Sequence, residues 1–480
     1  MFSKLDKKLL LIYSGLALLF IYPLIQAGIY YRDDLDRSIS GYYGWRGLGR
    51  PFADILARFF SASGHYNLDL FPYTMLASCV FLGASSLALS KHLIRSDVVN
   101  AKMVAALLIF NPFILQNIAY RYDSLGMSIA FFLAVIAYTY SNKNLALEIA
   151  TKLISGVLAL TLYQPCANVF IGLLAIDVII IAIKQHVKVK EFVIFLFKKT
   201  ILFLSFYIIY ILFLSPKNNS RAELIPLDKG GLDYLIGTLA SLKALVLSYL
   251  YHPVYIYFAI PILICCVFMF ISYRARIGNI VSFILYGAIS FLIFIVSLMG
   301  PTILLQDAPV LPRTLVSFSV IMVIIAIPIM HFAPRLKYAA LIPVIASLAF
   351  SAQLGNTMKA QQEYEDFVFN MIAQDIANHK NIVSIGTVGQ LNANERAKLI
   401  IENKPLVGHF VFPATEFLAS FQLINKGLLQ TQHGYSDVQE NKNKLANMIS
   451  KGIKPVSSNQ YYSLFISDNT AIVFLGKYNN

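Results

Sequence analysis

Apolar runs of roughly 18 to 25 residues recur along this chain, each long enough to cross a hydrocarbon core of about 30 Å as a helix. The first, Leu9 to Ile29, follows Asp6 and the lysines Lys4, Lys7 and Lys8. No small-residue cleavage site comes after it, so it reads as an uncleaved signal anchor. Further spans are predicted near residues 70–90, 103–119, 124–141, 147–164, 166–183, 200–215, 253–272, 279–299, 314–332 and 338–355, which makes about eleven. Ten-residue alternating segments of the kind that build barrels are absent. With 58% apolar and 13% charged residues and a mean hydropathy of +0.65, this is an α-helical polytopic membrane protein.

The net charge of +14 is explained by topology rather than by nucleic acid, because the cations occupy alternate connections. Lys4, Lys7 and Lys8 are followed by Lys91, Arg95 and Lys102, then by Lys143 and Lys152. Lys184, Lys188, Lys190, Lys198 and Lys199, then Arg274 and Arg276, then Arg335 and Lys337 continue the pattern. The positive-inside rule puts the N-terminus in the cytoplasm and, after an odd number of spans, the C-terminal segment outside.

Several function classes are excluded early. Cys79, Cys166, Cys265 and Cys266 lie in apolar runs without metal-ligand or disulfide spacing. The chain has no HExxH, Walker loop or GxGxxG, so no cofactor and no nucleotide coupling is expected. A divalent metal is not expected in the acidic stretch either, since Arg32 and Arg37 interleave with its carboxylates and no third spaced ligand completes a shell.

Charge on the opposite face is mixed in sign. "YYRDDLDR", residues Tyr30 to Arg37, crowds five charges into six positions directly after the first span. The glycines of "SGYYGWRGLGRP" permit tight turns, and Pro51 suits the first turn of a short helix. Phe52, Ile55, Leu56, Phe59 and Phe60 recur there at helical spacing with Asp54 and Arg58 opposite, predicting an amphipathic helix on the membrane surface. Trp45, the sole Trp, reads as an interfacial anchor or a stacking platform for a sugar ring. Asp177, inside the sixth span, reads as an interhelical hydrogen-bonding group.

The motifs "RDDLDRSISGYYGWRGLGRP", "NPFILQNIAYRYDSLGMSIA", "LTLYQPCANVF" and "LPRTLVSF" occur in that order up to about residue 355. Together they resemble the bacterial serotype-converting O-antigen glucosyltransferases, polytopic enzymes grouped with the GT-C class. The resemblance implies transfer of a glucosyl residue from a polyprenyl-phosphate (undecaprenyl-phosphate) donor to O-antigen polysaccharide or a lipid-linked repeat. It places that reaction on the periplasmic face of the bacterial inner membrane, with the lipid of that membrane as a further partner.

Such a reaction needs a base for the acceptor hydroxyl and cations for the departing phosphate. Asp33 and Asp34 sit where the first helix leaves the bilayer. One acts as base, with Asp34 favoured, and the other orients Arg32, Arg37 or the acceptor. Asp36 completes the substrate-facing segment. Arg121 and Arg313, at external helix ends, suit the phosphate, with Asp123 orienting Arg121. The "YQP" break places Tyr163 and Gln164 near the outer boundary, where Gln164 faces sugar hydroxyls.

Residues 1–355 thus form the transmembrane catalytic domain, with a structured loop at 30–69. Residues 356–480 form a small periplasmic α/β domain. In that domain "EYEDFVFNMIAQDIANHK" has helical periodicity, "NIVSIGTV" and "LVGHFVF" read as strands, and "YYSLFISDNTAIVFLGKY" reads as a hairpin turning at "SDNT". Three alternatives stay open: a GT-C transferase for another sugar or glycan, a lipid-sugar transporter, and a noncatalytic assembly protein.

Overall fold

The structure is a computed structural model. It describes residues 4–184, 187–216, 223–251, 253–276 and 280–478, with side chains described throughout except at 273–276. The side chains of Arg274 and Arg276, and positions 217–222 and 252 of the 216–252 connection, therefore lie outside the described residues. The chain forms two compact units. The first comprises Met1–Ile25, Tyr43–Gly64 and Asp69–Ala352; the second gathers Gln26–Tyr42, His65–Leu68 and Gln353–Asn480.

The first unit is helical, as its apolar runs require. It holds α1 (Lys4–Ala27, up to Ile25), α3 (Pro51–Ser61), α4 (Tyr73–Arg95), α5 (Ala101–Ala106), α6 (Leu115–Ala119), α7 (Ser124–Thr139) and α8 (Leu145–Leu162). Next come α9 (Asn168–Lys184), α10 (Val189–Phe213), α11 (Lys229–Tyr249), α12 (Val254–Arg276), α13 (Ile280–Met299) and α14 (Val320–Phe332), and then the start of α15 (Ile342–Ala377). Helix α2 (Asp34–Ser40) belongs to the second unit. Among the described residues, ten helical segments are long and apolar enough to cross a membrane, and α7 and α14 are shorter apolar helices.

Small residues bring these helices close. A Cβ on Gly83 of α4 would stand 2.6 Å from the Ser14 backbone nitrogen of α1, a separation real Cβ atoms do not tolerate. Polar groups tie the helices laterally. Asp177 of α9 accepts from the Tyr138 hydroxyl of α7 at 2.6 Å and lies 2.7 Å from His92 Nε2 of α4, the interhelical bonding expected of it.

Three details depart from the sequence reading. The 216–252 connection contains α11, whose length and composition are those of a span. Gly230, Gly231, Gly237, Asp233 and Lys243 dilute its hydropathy, while Asp228 opens it by accepting the Gly231 N–H at 3.0 Å. The predicted span 103–119 is broken at Asn111-Pro112 into α5, two 3₁₀ turns and α6. The predicted span 314–332 likewise becomes helical only at Val320. These two breaks satisfy each other, because Asn111 Nδ2 donates to the carbonyls of Leu315 (3.0 Å) and Val316 (2.9 Å). Irregular backbone at membrane depth is tolerated where protein buries it and supplies such partners.

The second unit is built on a four-stranded sheet of β1 (Ser384–Gly389), β2 (Ser457–Ser458), β3 (Tyr462–Ser467) and β4 (Thr470–Leu475), in the order β1-β4-β3-β2. β1 runs parallel to β4, and β3 and β4 form the expected hairpin with Ser467 opposite Thr470. Asp468 in that turn has φ +52°, a conformation Asp accepts more readily than most residues. Val368, Phe369, Ile372 and Ile376 of α15, with Ala419 and Leu423 of α17 (Glu416–Asn425), pack on one face against Ile385, Leu464, Ala471 and Val473. Leu445 and Met448 of α18 (Val438–Ser450) cover Val388, Phe465 and Ile472 on the other. The stretch "LVGHFVF" is not a strand: Pro405 opens a 3₁₀ turn over Pro405–His409, which buries Leu406 and Val407.

Candidate active site

The acidic segment belongs to the second unit. Arg32 takes the left-handed backbone (φ +52°), which costs a residue with a side chain roughly 1–3 kcal/mol. The chain turns there, the Asp34 N–H returns to the Tyr31 carbonyl at 3.1 Å, and α2 begins. Asp34 and Asp36 fall in its first turn and Arg37 in its last, signs that complement the helix dipole.

Exposure separates the two adjacent acids. Asp34 is fully buried, its Oδ2 accepting the Tyr31 N–H at 3.3 Å. The Asp33 side chain is 43% exposed and stands 3.7 Å from the buried Arg37 guanidinium. Arg37 lies over the Tyr42 ring at 4.6 Å and Arg32 over the Phe412 ring at 4.4 Å. Asp36 faces His433 of the same unit at 3.7 Å. Burial raises the Asp36 carboxyl pKa, and the charge and hydrogen bond of His433 oppose that rise.

A second constellation lies within the first unit, on the segment Tyr43–Gly64 and the broken ends of the spans. Gly49 takes φ +73°, and a Cβ there would meet the Tyr210 hydroxyl at 2.5 Å, so glycine is required on both counts. That close approach lets Tyr210 donate to the Gly49 carbonyl at 2.9 Å. Gln164, on the break after α8, donates to the Leu48 carbonyl at 3.1 Å and to Tyr210 at 2.9 Å. Its Oε1 accepts from Arg50 Nε at 3.0 Å. The amide expected to face sugar hydroxyls is thus the strut that holds Arg50.

Arg50 lies over the Tyr163 ring at 4.7 Å. Tyr163 donates to the Arg313 carbonyl at 3.1 Å, and the Arg313 guanidinium donates to the Tyr120 hydroxyl at 2.6 Å. The Arg313 backbone is pinned from both sides: its N–H donates to Gln116 Oε1 at 2.9 Å and its carbonyl accepts from Asn117 at 3.1 Å. Removal from water lowers the Arg50 pKa; Tyr163 and Asp123 oppose the shift, and the charge of Arg313 adds to it. Two guanidinium groups therefore share one partly dry neighbourhood, an arrangement that favours an anion.

Two expected pairings are corrected. Arg121 is buried over the Phe71 ring and pairs with Asp69 at 3.0 Å, so Asp69 is the carboxylate that orients it. Asp123 instead accepts the indole N–H of Trp45 at 2.6 Å, and Trp45 is 2% exposed, so it is neither an interfacial anchor nor a free stacking platform. The predicted surface helix is α3, whose Ile55, Phe59 and Phe60 are exposed while buried Asp54 joins Arg46 (2.8 Å) and Arg58 (2.9 Å). Asp69 and Arg50 escaped sequence reasoning. Only the position of Arg50 before a helix-opening proline marks it locally.

Comparison with known proteins bears on this arrangement. A family model described as "Glucosyl transferase GtrII" matches residues 22–330. A protein of Salmonella phage P22, described as "Uncharacterized 55.3 kDa protein in gtrB 5'region", is 28% identical over 185 residues. Those residues are 38% of this chain and 38% of that relative's length. No solved structure matches.

Proposed function

The chain belongs to the GtrII glucosyl transferase family, and we propose that it moves a glucosyl residue from a polyprenyl-phosphate donor to O-antigen on the periplasmic face of the inner membrane. The observation that carries the donor assignment is that Arg50, which lies over the Tyr163 ring, feels the charge of Arg313, whose backbone carbonyl accepts from the Tyr163 hydroxyl. A lipid phosphate is the anion such a membrane-bound pair suits, and Arg presents a planar fork to two phosphate oxygens. The family match extends over the acidic segment as well as over Arg50, Arg121, Gln164 and Arg313.

On this reading Asp33 is the base. It is the carboxylate of the adjacent pair that a substrate can touch, while buried Asp34 fixes the helix start that presents it. Asp33 takes the acceptor hydroxyl proton as the hydroxyl oxygen bonds to the anomeric carbon, and the sugar–phosphate bond breaks with its electron pair leaving on phosphate. Within the first unit, Arg50 and Arg313 suit a phosphate on which negative charge grows, and Arg121 is held by its pair with Asp69.

The proposed sidedness treats α11 as remaining on the outer side. Lysines and arginines alternate between connections along the whole chain only if α11 does not cross. The test of function is transfer of labelled glucose from polyprenyl-phosphate glucose to O-antigen by purified protein in detergent, with no gradient. A transporter or an assembly protein gives no product there. A panel of polyprenyl-phosphate hexoses identifies the sugar.

A further inference from the structure

A cleft of about 760 Å³ opens between α11 and the segment that follows α13. It lies within the first unit and shares no residue with the Arg50–Arg313 cluster. Its walls are fixed to each other: Ile225 N–H donates to the Leu304 carbonyl at 2.9 Å and Gln306 N–H to the Glu223 carbonyl at 3.0 Å. Asp228 caps the helix that forms one side. The opposite wall leads along the chain into Pro312 and Arg313.

The lining states what the cleft would accept. Asp233, Tyr234, Thr238, Gln306 and Asp307 present carboxylate, phenol, hydroxyl and amide groups to it, and among the described residues no lining residue is a cation. Thr238 is 8% exposed. Two carboxylates repel a phosphate-bearing donor. They accept well from the hydroxyls of a neutral sugar, and an exposed Tyr ring gives the apolar face of a pyranose a surface to lie on. The volume falls within the range of about 300–1,000 Å³ usual for ligand sites.

We propose that this cleft is the subsite for the acceptor glycan, binding a neutral oligosaccharide through Asp233, Thr238, Gln306 and Asp307. The assignment to an acceptor rests on the transferase reading above; the assignment to a neutral oligosaccharide rests on the cleft itself.

Gly237 supplies the test, because a Cβ there would meet nothing within 4 Å. Gly237→Phe fills the cleft from a helical position that a side chain stabilises rather than strains. Thr238→Val removes the hydroxyl at nearly constant shape. Saturation-transfer NMR on the full-length protein in detergent would measure binding of O-chain oligosaccharide released from lipopolysaccharide. Polyprenyl-phosphate glucose would be measured beside it. Oligosaccharide affinity is expected to fall about tenfold or more in Gly237→Phe and roughly threefold or more in Thr238→Val, with donor affinity unchanged in both.

Unchanged oligosaccharide affinity in Gly237→Phe overturns the proposal, as does a wild-type protein that binds no oligosaccharide. If the oligosaccharide binds and Gly237→Phe abolishes it, yet the wild type binds no donor, the donor reading fails and the cleft assignment stands.

Discussion

The side chains of Arg50 and Gln164, 114 positions apart in the chain, are joined by a 3.0 Å hydrogen bond from Nε to Oε1. Through it the break after α8 holds a guanidinium over Tyr163, beside Arg313. If that guanidinium holds the donor phosphate, Arg50→Ala weakens binding of polyprenyl-phosphate glucose by about tenfold or more, the scale of a charged hydrogen bond. Arg50→Lys recovers little, since an ammonium lacks the fork that meets two phosphate oxygens. Equilibrium binding of labelled donor checks this, and full recovery by lysine would reduce the contact to simple charge.

The Trp45–Asp123 bond predicts a different response. Trp45→Phe keeps much of the ring but leaves half-buried Asp123 without its indole donor. We expect a loss of about 1–3 kcal/mol, read as a lower unfolding temperature in detergent. Asp123→Asn keeps an acceptor oxygen and should lose less. A Trp45→Phe protein as stable as wild type would mean that the bond contributes little.

Asp36 makes the stability of the second unit depend on pH. Burial raises its carboxyl pKa above the ordinary 3.8, so the folded chain holds that proton more tightly than the unfolded chain does. The resulting stabilisation is full below the unfolded value and is lost as pH rises through the raised folded value. Asp36→Asn should flatten the profile above the unfolded value and gain on wild type as pH increases. Parallel curves of unfolding temperature against pH for the two proteins would contradict this.

Much of the fold is legible because hydrocarbon thickness dictates a run length, and ten helical segments of that length are present among the described residues. The break at Tyr163–Pro165 is visible in the residues, because proline cannot continue the ladder of α8. The break at Asn111 is harder to see. What stabilises it is the backbone of Leu315 and Val316, more than 200 positions away, and no local pattern records such a partner. The same holds for the site: Arg121 and Asp123 are neighbours in sequence, yet their partners are Asp69 and Trp45. Helix α11 escaped because its glycines and charges mask a helix whose cap at Asp228 is nonetheless ordinary.

The course of α11 sets the sidedness and can be tested at its two ends. Leu227 and Tyr251 are both exposed and flank the helix. In a background without native cysteines, single cysteines at both positions should react with a membrane-impermeant thiol reagent from the periplasm, while one at Lys188 should not. Reaction at 227 but not at 251 would mean that α11 crosses and that the alternation of cations does not set the sidedness.

The most direct measurement is turnover of polyprenyl-phosphate glucose by Asp33→Asn beside wild type, both purified in detergent with O-antigen acceptor. The substitution preserves side-chain volume and removes the proton acceptor. If Asp33 is the base, turnover falls about 10²-fold or more, while donor affinity and unfolding temperature stay near the wild-type values. Near-normal turnover by a folded Asp33→Asn protein would contradict the account and leave the segment from Arg32 to Arg37 as a structural charge cluster.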